Sequence, residues 1–254
     1  MKIAACSWWL VALLVLSGCG GSKTPENAKI AESASHAIED PNAGSISGTV
    51  QFTGEKPVMK TIDMSATMAC ERTHSTPRKS EEVVVNQNGT LKNVFIWVKS
   101  GVPEKAWPAP ATTVKLDQAG CMYKPHMLGV MVNQPIQFTN SDPTNHNIHP
   151  LPRVNLEWNE SQPPNAGEKV KRFTRPEIMI PVKCNIHPWM RAWIGVVNHP
   201  FFAVTGDDGS YKIPGLPPGT YTLEAWHEKY GTKDVEVTVA PKADKAVPFE
   251  YSAS

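Results

Sequence analysis

The sequence predicts an all-β protein. Its 23 prolines and 17 glycines are spread along 254 residues and divide the chain into short segments rather than long helices. Several of these segments alternate apolar and polar residues with a period of two, as in residues 46–52, which is typical of strands. Turn signals such as Asn88-Gly89 separate them. Short strands at this spacing fit an antiparallel sandwich.

Before the first predicted strand lies a targeting segment. Lys2 precedes an apolar run at 3–16 that is too short for a convincing membrane span, and the sequence Leu16-Ser17-Gly18-Cys19 resembles a bacterial lipobox. We therefore predict a lipoprotein signal peptide at 1–18, a lipid on Cys19 and a flexible tether at 19–43. An ordinary secretory signal or an uncleaved anchor is the alternative. Either way we expect the periplasmic or cell-surface side, with the lipid anchoring the protein to a bacterial membrane.

Up to residue 197, the sequence predicts short strands separated by turns. Apolar or alternating segments predict strands at 45–52, 82–85, 94–98, 113–116, 128–132, 136–139, 169–173, 178–182 and 191–197. The strand at 82–85 and that at 94–98 flank Asn88-Gly89, a hairpin signal. The segment at 151–167 is rich in proline and asparagine and is predicted to be a loop.

From about residue 205 the pattern changes. Strands at 211–213, 221–226 and 235–239 alternate with turns at 206–209 and 215–219. The signatures Asp-Gly-x-Tyr and Leu-Pro-x-Gly-x-Tyr make 205–254 resemble the carboxypeptidase regulatory-like (transthyretin-like) modules. That resemblance implies a small β-sandwich without chemistry of its own. Residues 46–57 also resemble the first strand of such a module, so the intervening segment is either inserted between its strands or packed on them.

The motif with the most potential metal ligands is Cys184-x2-His187-x2-Met190. One tight loop can direct this thiolate, imidazole and thioether at a single point. Soft sulfur ligands mixed with imidazole suit copper, and Cys plus two His with a weak axial Met defines an electron-transfer copper site. His146, beyond the strand at 136–139, is the candidate second imidazole.

These residues resemble a known family. The pair His146-Asn147 with Cys184-x2-His187-x2-Met190 is similar to the cupredoxins (blue copper proteins), especially the amicyanin-like short ligand loop, over roughly residues 114–197. The resemblance implies a Greek-key β-sandwich at 44–204, which we extend to include the preceding strands. It also implies one type 1 copper bound by His146, Cys184, His187 and Met190, with Asn147 joining the two ligand loops. Pro188 removes a backbone donor and stiffens the loop.

The remaining cysteines and histidines leave alternatives. Cys70 and Cys121 are an even pair in an oxidising compartment, which favours a disulfide, but a second metal site with His74 and His126 stays open. His149 is three residues beyond His146, and an odd offset on a strand points it to the opposite face, so we predict a non-ligand. His227-Glu228 begins like a zincin helix but lacks the second histidine.

The sequence as a whole predicts an extracytoplasmic protein that carries single electrons. The expected partners are a redox protein, such as a c-type cytochrome or a membrane redox complex, and the membrane through the anchor. With 25 basic and 24 acidic residues and no basic stripe, we expect no nucleic-acid partner. The scattered spare histidines indicate that the protein is not an enzyme. The alternatives are a periplasmic copper-binding or delivery protein and a structural β-sandwich subunit of a larger complex.

One further expectation concerns how electrons reach the site. Pro188 and Trp189 follow His187, so the imidazole is expected near the surface in an apolar collar, with Trp189 as the docking residue. Cys184 arrives from a strand and is expected to be buried.

Overall fold

The computed structural model describes residues 40–253 and confirms the all-β prediction for them. Within that range one short helix, α1 (Met68–Arg72), accompanies the strands. The predicted signal peptide, Cys19 and nearly all of the predicted tether lie outside the described residues. No helix in the described part of the chain is long and apolar enough to cross a membrane.

Apart from residues 54–94, which contain α1, the strands follow one another at short intervals from residue 44 to residue 252. In chain order they are β1 (Gly44–Thr53), β2 (Phe95–Ser100), β3 (Val114–Gln118), β4 (Tyr123–Lys124), β5 (Met127–Met131), β6 (Ile136–Asn140), β7 (His146–Pro150), β8 (Glu160–Gln162), β9 (Lys169–Lys171), β10 (Glu177–Lys183), β11 (Arg191–Val197), β12 (Phe202–Val204), β13 (Ser210–Leu216), β14 (Gly219–His227), β15 (Gly231–Val239), β16 (Asp244–Ala246) and β17 (Phe249–Ser252).

The strands that carry the predicted ligands form the first of two sandwiches. One sheet has the order β5-β11-β10-β7-β8 and the other the order β4-β3-β6-β9. Their inner faces bury one apolar core that includes Phe138, Ile148 and Ile194. The antiparallel expectation is only partly correct, because β3 pairs with β6, and β5 with β11, in parallel.

The second sandwich combines strands from both ends of the described chain. β1 pairs with β13, β16 and β17, and the facing sheet has the order β12-β2-β14-β15. Their shared core includes Ile46, Leu223 and Tyr251. The predicted unit 44–204 groups β1 and β2 with the ligand-bearing strands, whereas in the structure their apolar faces are buried by C-terminal strands. The ligand-bearing strands are thus inserted between strands of this second sandwich, one of the two arrangements left open above; the limits 44–204 and 205–254 stay predictions.

The predicted hairpin at Asn88-Gly89 is shorter than expected. Residues 82–85 form no strand, and the ladder consists of the isolated bridge between Val85 and Leu91. Asn93 has a φ of 60°, a left-handed conformation that turns the chain away from its partner. The following strand, β2, therefore pairs with β12 and β14 instead.

Two glycines on neighbouring strands lie where the two sandwiches meet. Gly129 of β5 lies opposite Gly195 of β11, and a Cβ on Gly195 would be 2.7 Å from the Phe95 ring and 2.5 Å from Met179 Cε. Phe95 stacks on Phe202 with ring centroids 5.9 Å apart. The missing side chains leave the space in which these two rings lie against the ligand-bearing sheet.

Candidate metal centre

Two loops bring the predicted ligands together. His146 is the first residue of β7, and Cys184 follows directly after β10. These strands are neighbours, with Lys183 opposite His149, so the start of β7 and the end of β10 lie close together in one sheet. The loop 184–190 then turns back into β11.

The donor atoms of the two histidines and the cysteine converge. The Nδ1 atoms of His146 and His187 are 2.9 Å apart, and Cys184 Sγ lies 3.8 Å from Nδ1 of His187. All three residues are buried, and their donor atoms lie within 4.8 Å of one another. Metal–nitrogen and metal–sulfur bonds of about 2.0 and 2.3 Å, as in zinc sites, produce separations of this size. The donor set therefore fits a single metal ion.

Met190 closes the loop that carries Cys184. Its carbonyl accepts a hydrogen bond from the backbone N–H of Cys184 at 3.2 Å, and its own N–H donates to the carbonyl of His187 at 2.9 Å. Its side chain is fully buried in the same core as Cys184. A cysteine, a histidine and a buried methionine thus share one compact loop, which lies beside His146.

His146 is held by a carboxylate that the sequence analysis did not single out. Nε2 of His146 lies 2.9 Å from Oδ2 of Asp142, which is itself buried. Burial alone lowers the pKa of His146, but the partners Asp142 and Cys184 outweigh it and raise that pKa. The sequence feature that could have indicated it is a carboxylate four residues before the histidine, in the segment 141–145 between β6 and β7.

The thiol and the second imidazole respond to burial in different ways. Burial raises the pKa of Cys184, yet the neighbouring His146 and hydrogen bonds from backbone N–H groups outweigh it, so the pKa is lowered, in the direction of the thiolate that binds metal. Burial and the nearby His146 charge lower the pKa of His187 to about 4, so its imidazole is neutral near pH 7. The His187 imidazole is thus in the neutral state that metal ligation requires, and the pKa of Cys184 is shifted in the direction that favours ligation.

Asn147 joins the two ligand loops. Its side-chain oxygen accepts a hydrogen bond from the backbone N–H of Asn185 at 2.6 Å, and its amide nitrogen donates to Asn159 at 2.5 Å. Asn185 is the residue after Cys184, so this contact ties the start of the ligand loop to β7.

A disulfide between Cys70 and Cys121 covers the site from outside. Cys70 belongs to α1, and its Sγ lies 3.7 Å from Nε2 of His187. The Trp189 indole donates to the carbonyl of Cys121 at 3.0 Å, and its ring centroid is 5.1 Å from that of His187. His187 is only 1% exposed. The expectation that its imidazole lies near the surface is therefore wrong: α1, the disulfide and Trp189 form a cover that the sequence did not reveal.

Three further histidines of the described chain lie apart from these donors. His149 contacts Asn185 and Glu157, on the outside of β7, and His74 Nε2 is 2.7 Å from the carbonyl of Gly120. His126 is at the junction of the sandwiches, with Nε2 2.5 Å from Glu228. The second metal site considered for Cys70 and Cys121 is thus not assembled here, since the two cysteines are bonded to each other.

Comparison with known proteins adds two results. Residues 192–251 match the family model of the carboxypeptidase regulatory-like domain, beginning within β11 rather than at residue 205. No curated protein matches the chain.

Similar solved structures include three copper-site proteins. A mutant amicyanin with Cu(I) is 22% identical, with a TM-score of 0.30, covering 40% of this chain and 97% of its own. A purple cupredoxin from Nitrosopumilus maritimus is 20% identical, with a TM-score of 0.28, covering 33% of this chain and 98% of its own. A copper-containing nitrite reductase from Thermus scotoductus is 21% identical, with a TM-score of 0.30, covering 38% of this chain but only 25% of its own.

TM-scores this low carry no argument about what the chain does. Both families named in the sequence analysis recur among the matches: residues 192–251 match the model of the carboxypeptidase regulatory-like domain, and cupredoxins are among the similar solved structures.

Proposed function

We propose that this protein binds one copper ion in a type 1 site and carries single electrons outside the cytoplasm. The observation that carries the proposal is the convergence of Nδ1 of His146, Nδ1 of His187 and Sγ of Cys184 in a buried cluster, with Met190 in the same loop. A thiolate with two imidazoles and a weak thioether suits copper in electron transfer. When bound, copper supplies a one-electron couple.

The chain's own residues prepare this site before any ion enters. Asp142 and Asn147 hold the two ligand loops by hydrogen bonds, and the core of the first sandwich surrounds them. Ligands fixed in this way move little when the charge at the site changes, which favours fast electron transfer. The cover formed by α1, the disulfide and Trp189 excludes water from the His187 side.

The burial of the candidate ligands also distinguishes an electron carrier from a copper-delivery protein. A delivery protein exchanges its ion with a partner, which requires ligands that a partner can reach. His146, Cys184 and His187 are each at most 2% exposed, and His187 contacts Cys70 of the cover. Enclosure therefore favours an electron carrier. We further propose a redox protein as the partner, no catalytic reaction, and attachment to a bacterial membrane through lipidated Cys19, on the periplasmic or cell-surface side.

The test is the absorption spectrum of the oxidised, copper-loaded protein. We expect an intense band towards the red end of the visible, with one copper bound per chain. Cys184→Ser should remove the band, whereas Ser161→Ala, a matched hydroxyl change on β8, should retain it. Copper that binds without the band and is withdrawn rapidly by a chelator would favour delivery instead.

A further inference from the structure

Asp142 is a buried carboxylate with three hydrogen-bond donors aimed at it. The backbone N–H groups of Gly120 and Cys121 lie 2.6 and 2.7 Å from its two oxygens, and Nε2 of His146 lies 2.9 Å away. Its side chain is 4% exposed. A carboxylate is needed here, because all three neighbours point a donor towards it and none offers an acceptor.

The carboxylate fixes which nitrogen of His146 carries the proton. Both oxygens of Asp142 already accept backbone N–H groups, so Nε2 of His146 must be a donor to approach at 2.9 Å. A neutral imidazole with its proton on Nε2 has a free lone pair on Nδ1. Nδ1 is the atom that faces His187, so Asp142 selects the tautomer that can bind metal.

The same residue connects the cover to the ligands. Gly120 and Cys121 have φ values of 68° and 52°, so both are left-handed, and Asp142 accepts the N–H groups of this strained turn. Cys121 is bonded to Cys70, which contacts His187. Asp142 therefore touches one ligand directly and fixes the turn on which the cover of the other depends.

We propose that Asp142 is a positioning residue, which holds His146 in the metal-binding tautomer and lowers the reduction potential of the site with a buried negative charge. This inference rests on the proposed copper site. A fixed anion one hydrogen bond from a ligand stabilises the more positive, oxidised state of the site relative to the reduced state. An amide cannot replace it, since its NH2 group would face one of the three donors.

Asp142→Asn is the decisive variant, and Asp117→Asn is its matched control. Asp117 lies in the same sandwich, where its carboxylate contacts Thr139, Ser141 and Lys115. For Asp142→Asn we expect a higher potential in a redox titration and copper affinity about 10–100-fold weaker by chelator competition. Asp117→Asn should leave both near the parent values. Asp142→Glu, which keeps the charge, should raise the potential less than Asp142→Asn.

A measurement on the unaltered, metal-free protein covers the case in which Asp142→Asn fails to fold. At a pH where the imidazole is neutral, 15N chemical shifts should show His146 with its proton on Nε2. A proton on Nδ1 would overturn the proposal, as would an unchanged potential in a folded Asp142→Asn protein that still binds copper. Failure of the parent protein to bind copper would instead overturn the proposed function.

Discussion

Sγ of Cys70 lies 3.7 Å from Nε2 of His187, so a disulfide contacts the outer edge of a candidate metal ligand. Cys70 is 51 residues before its partner Cys121 in sequence. The bond therefore fixes a long segment, including α1, over the site. We therefore expect both the stability of the fold and access to His187 to depend on it.

Removing the disulfide should destabilise the metal-free protein. In the chain-entropy model, opening a loop of 51 residues costs about 4 kcal/mol, and two buried alanines add a cavity cost. Urea unfolding of Cys70→Ala/Cys121→Ala should show this loss, and Cys184→Ala, which keeps the disulfide, should lose less. Equal losses in the two proteins would show that the bridge adds no constraint.

The same double variant should speed electron exchange with a small soluble oxidant. His187 is 1% exposed because the cover lies on it, and without the bond α1 is free to move away. Stopped-flow mixing of the reduced, copper-loaded proteins with ferricyanide measures the rate. Glu71→Gln, a charge change on α1 that keeps the bond, is the control. No increase in the double variant would mean that electrons do not pass at the covered edge.

Met190→Leu should retain copper and raise the reduction potential. Leucine fills nearly the same buried volume but lacks the sulfur donor, which favours the oxidised state of the site. Redox titration compares it with Met131→Leu, a buried methionine at the junction of the sandwiches. If both variants keep the parent potential, Met190 is a core residue and not a ligand.

Gly195→Ala should destabilise the protein by about 1–3 kcal/mol, the usual cost of overpacking. The new methyl group would lie 2.5 Å from Met179 Cε and 2.7 Å from the Phe95 ring. Gly167→Ala, where nothing lies within 4 Å, is the matched control. Thermal unfolding checks the difference; a loss in Gly195→Ala no larger than in the control would show that the junction can move apart freely.

Stability should fall between pH 6.5 and pH 4 because of His227. Burial lowers the pKa of this imidazole to about 4, against about 6.5 in an unfolded chain. In that window the unfolded chain binds a proton that the folded protein does not, so lowering the pH favours unfolding. Between pH 7 and pH 5 the loss is on the order of 2 kcal/mol.

The measurement is urea unfolding at both pH values. His227→Asn keeps a side-chain acceptor for the N–H of Lys229, which Nδ1 of His227 now accepts at 3.1 Å. The variant should lose less stability on acidification than the parent protein by about the same 2 kcal/mol. Identical pH dependence in the two proteins would mean that His227 is not the responsible group.

The ligand cluster could be predicted because three of its four residues lie close together in sequence. Cys184, His187 and Met190 lie in one loop, so spacing alone indicated that their side chains share a point. His146 could be identified as the second imidazole because it follows a predicted strand, at 136–139. The structure brings the donors of His146, Cys184 and His187 together, while the role of all four residues as copper ligands stays a prediction.

The cover and the strand partners could not be predicted, because they depend on contacts distant in sequence. Nothing near Cys70 indicates that it lies on His187, which is 117 residues away. The alternation in β1 showed a strand with one buried face but did not show that β13 and β17 bury it. Asp142 was missed because a carboxylate in a turn is ordinarily a solvent-exposed turn residue.

The pairing of β1 with β17 has a consequence for synthesis on the ribosome. Residues 44–53 leave the exit tunnel early but cannot complete their sheet until residues 249–252 have also emerged. Throughout that interval β1 has unpaired backbone groups, on both edges until β13 has emerged, and these favour pairing with other chains. The ligand-bearing segment is translated in between and can fold first. Any pause in translation between these two segments therefore lengthens the time for which β1 can pair with another chain.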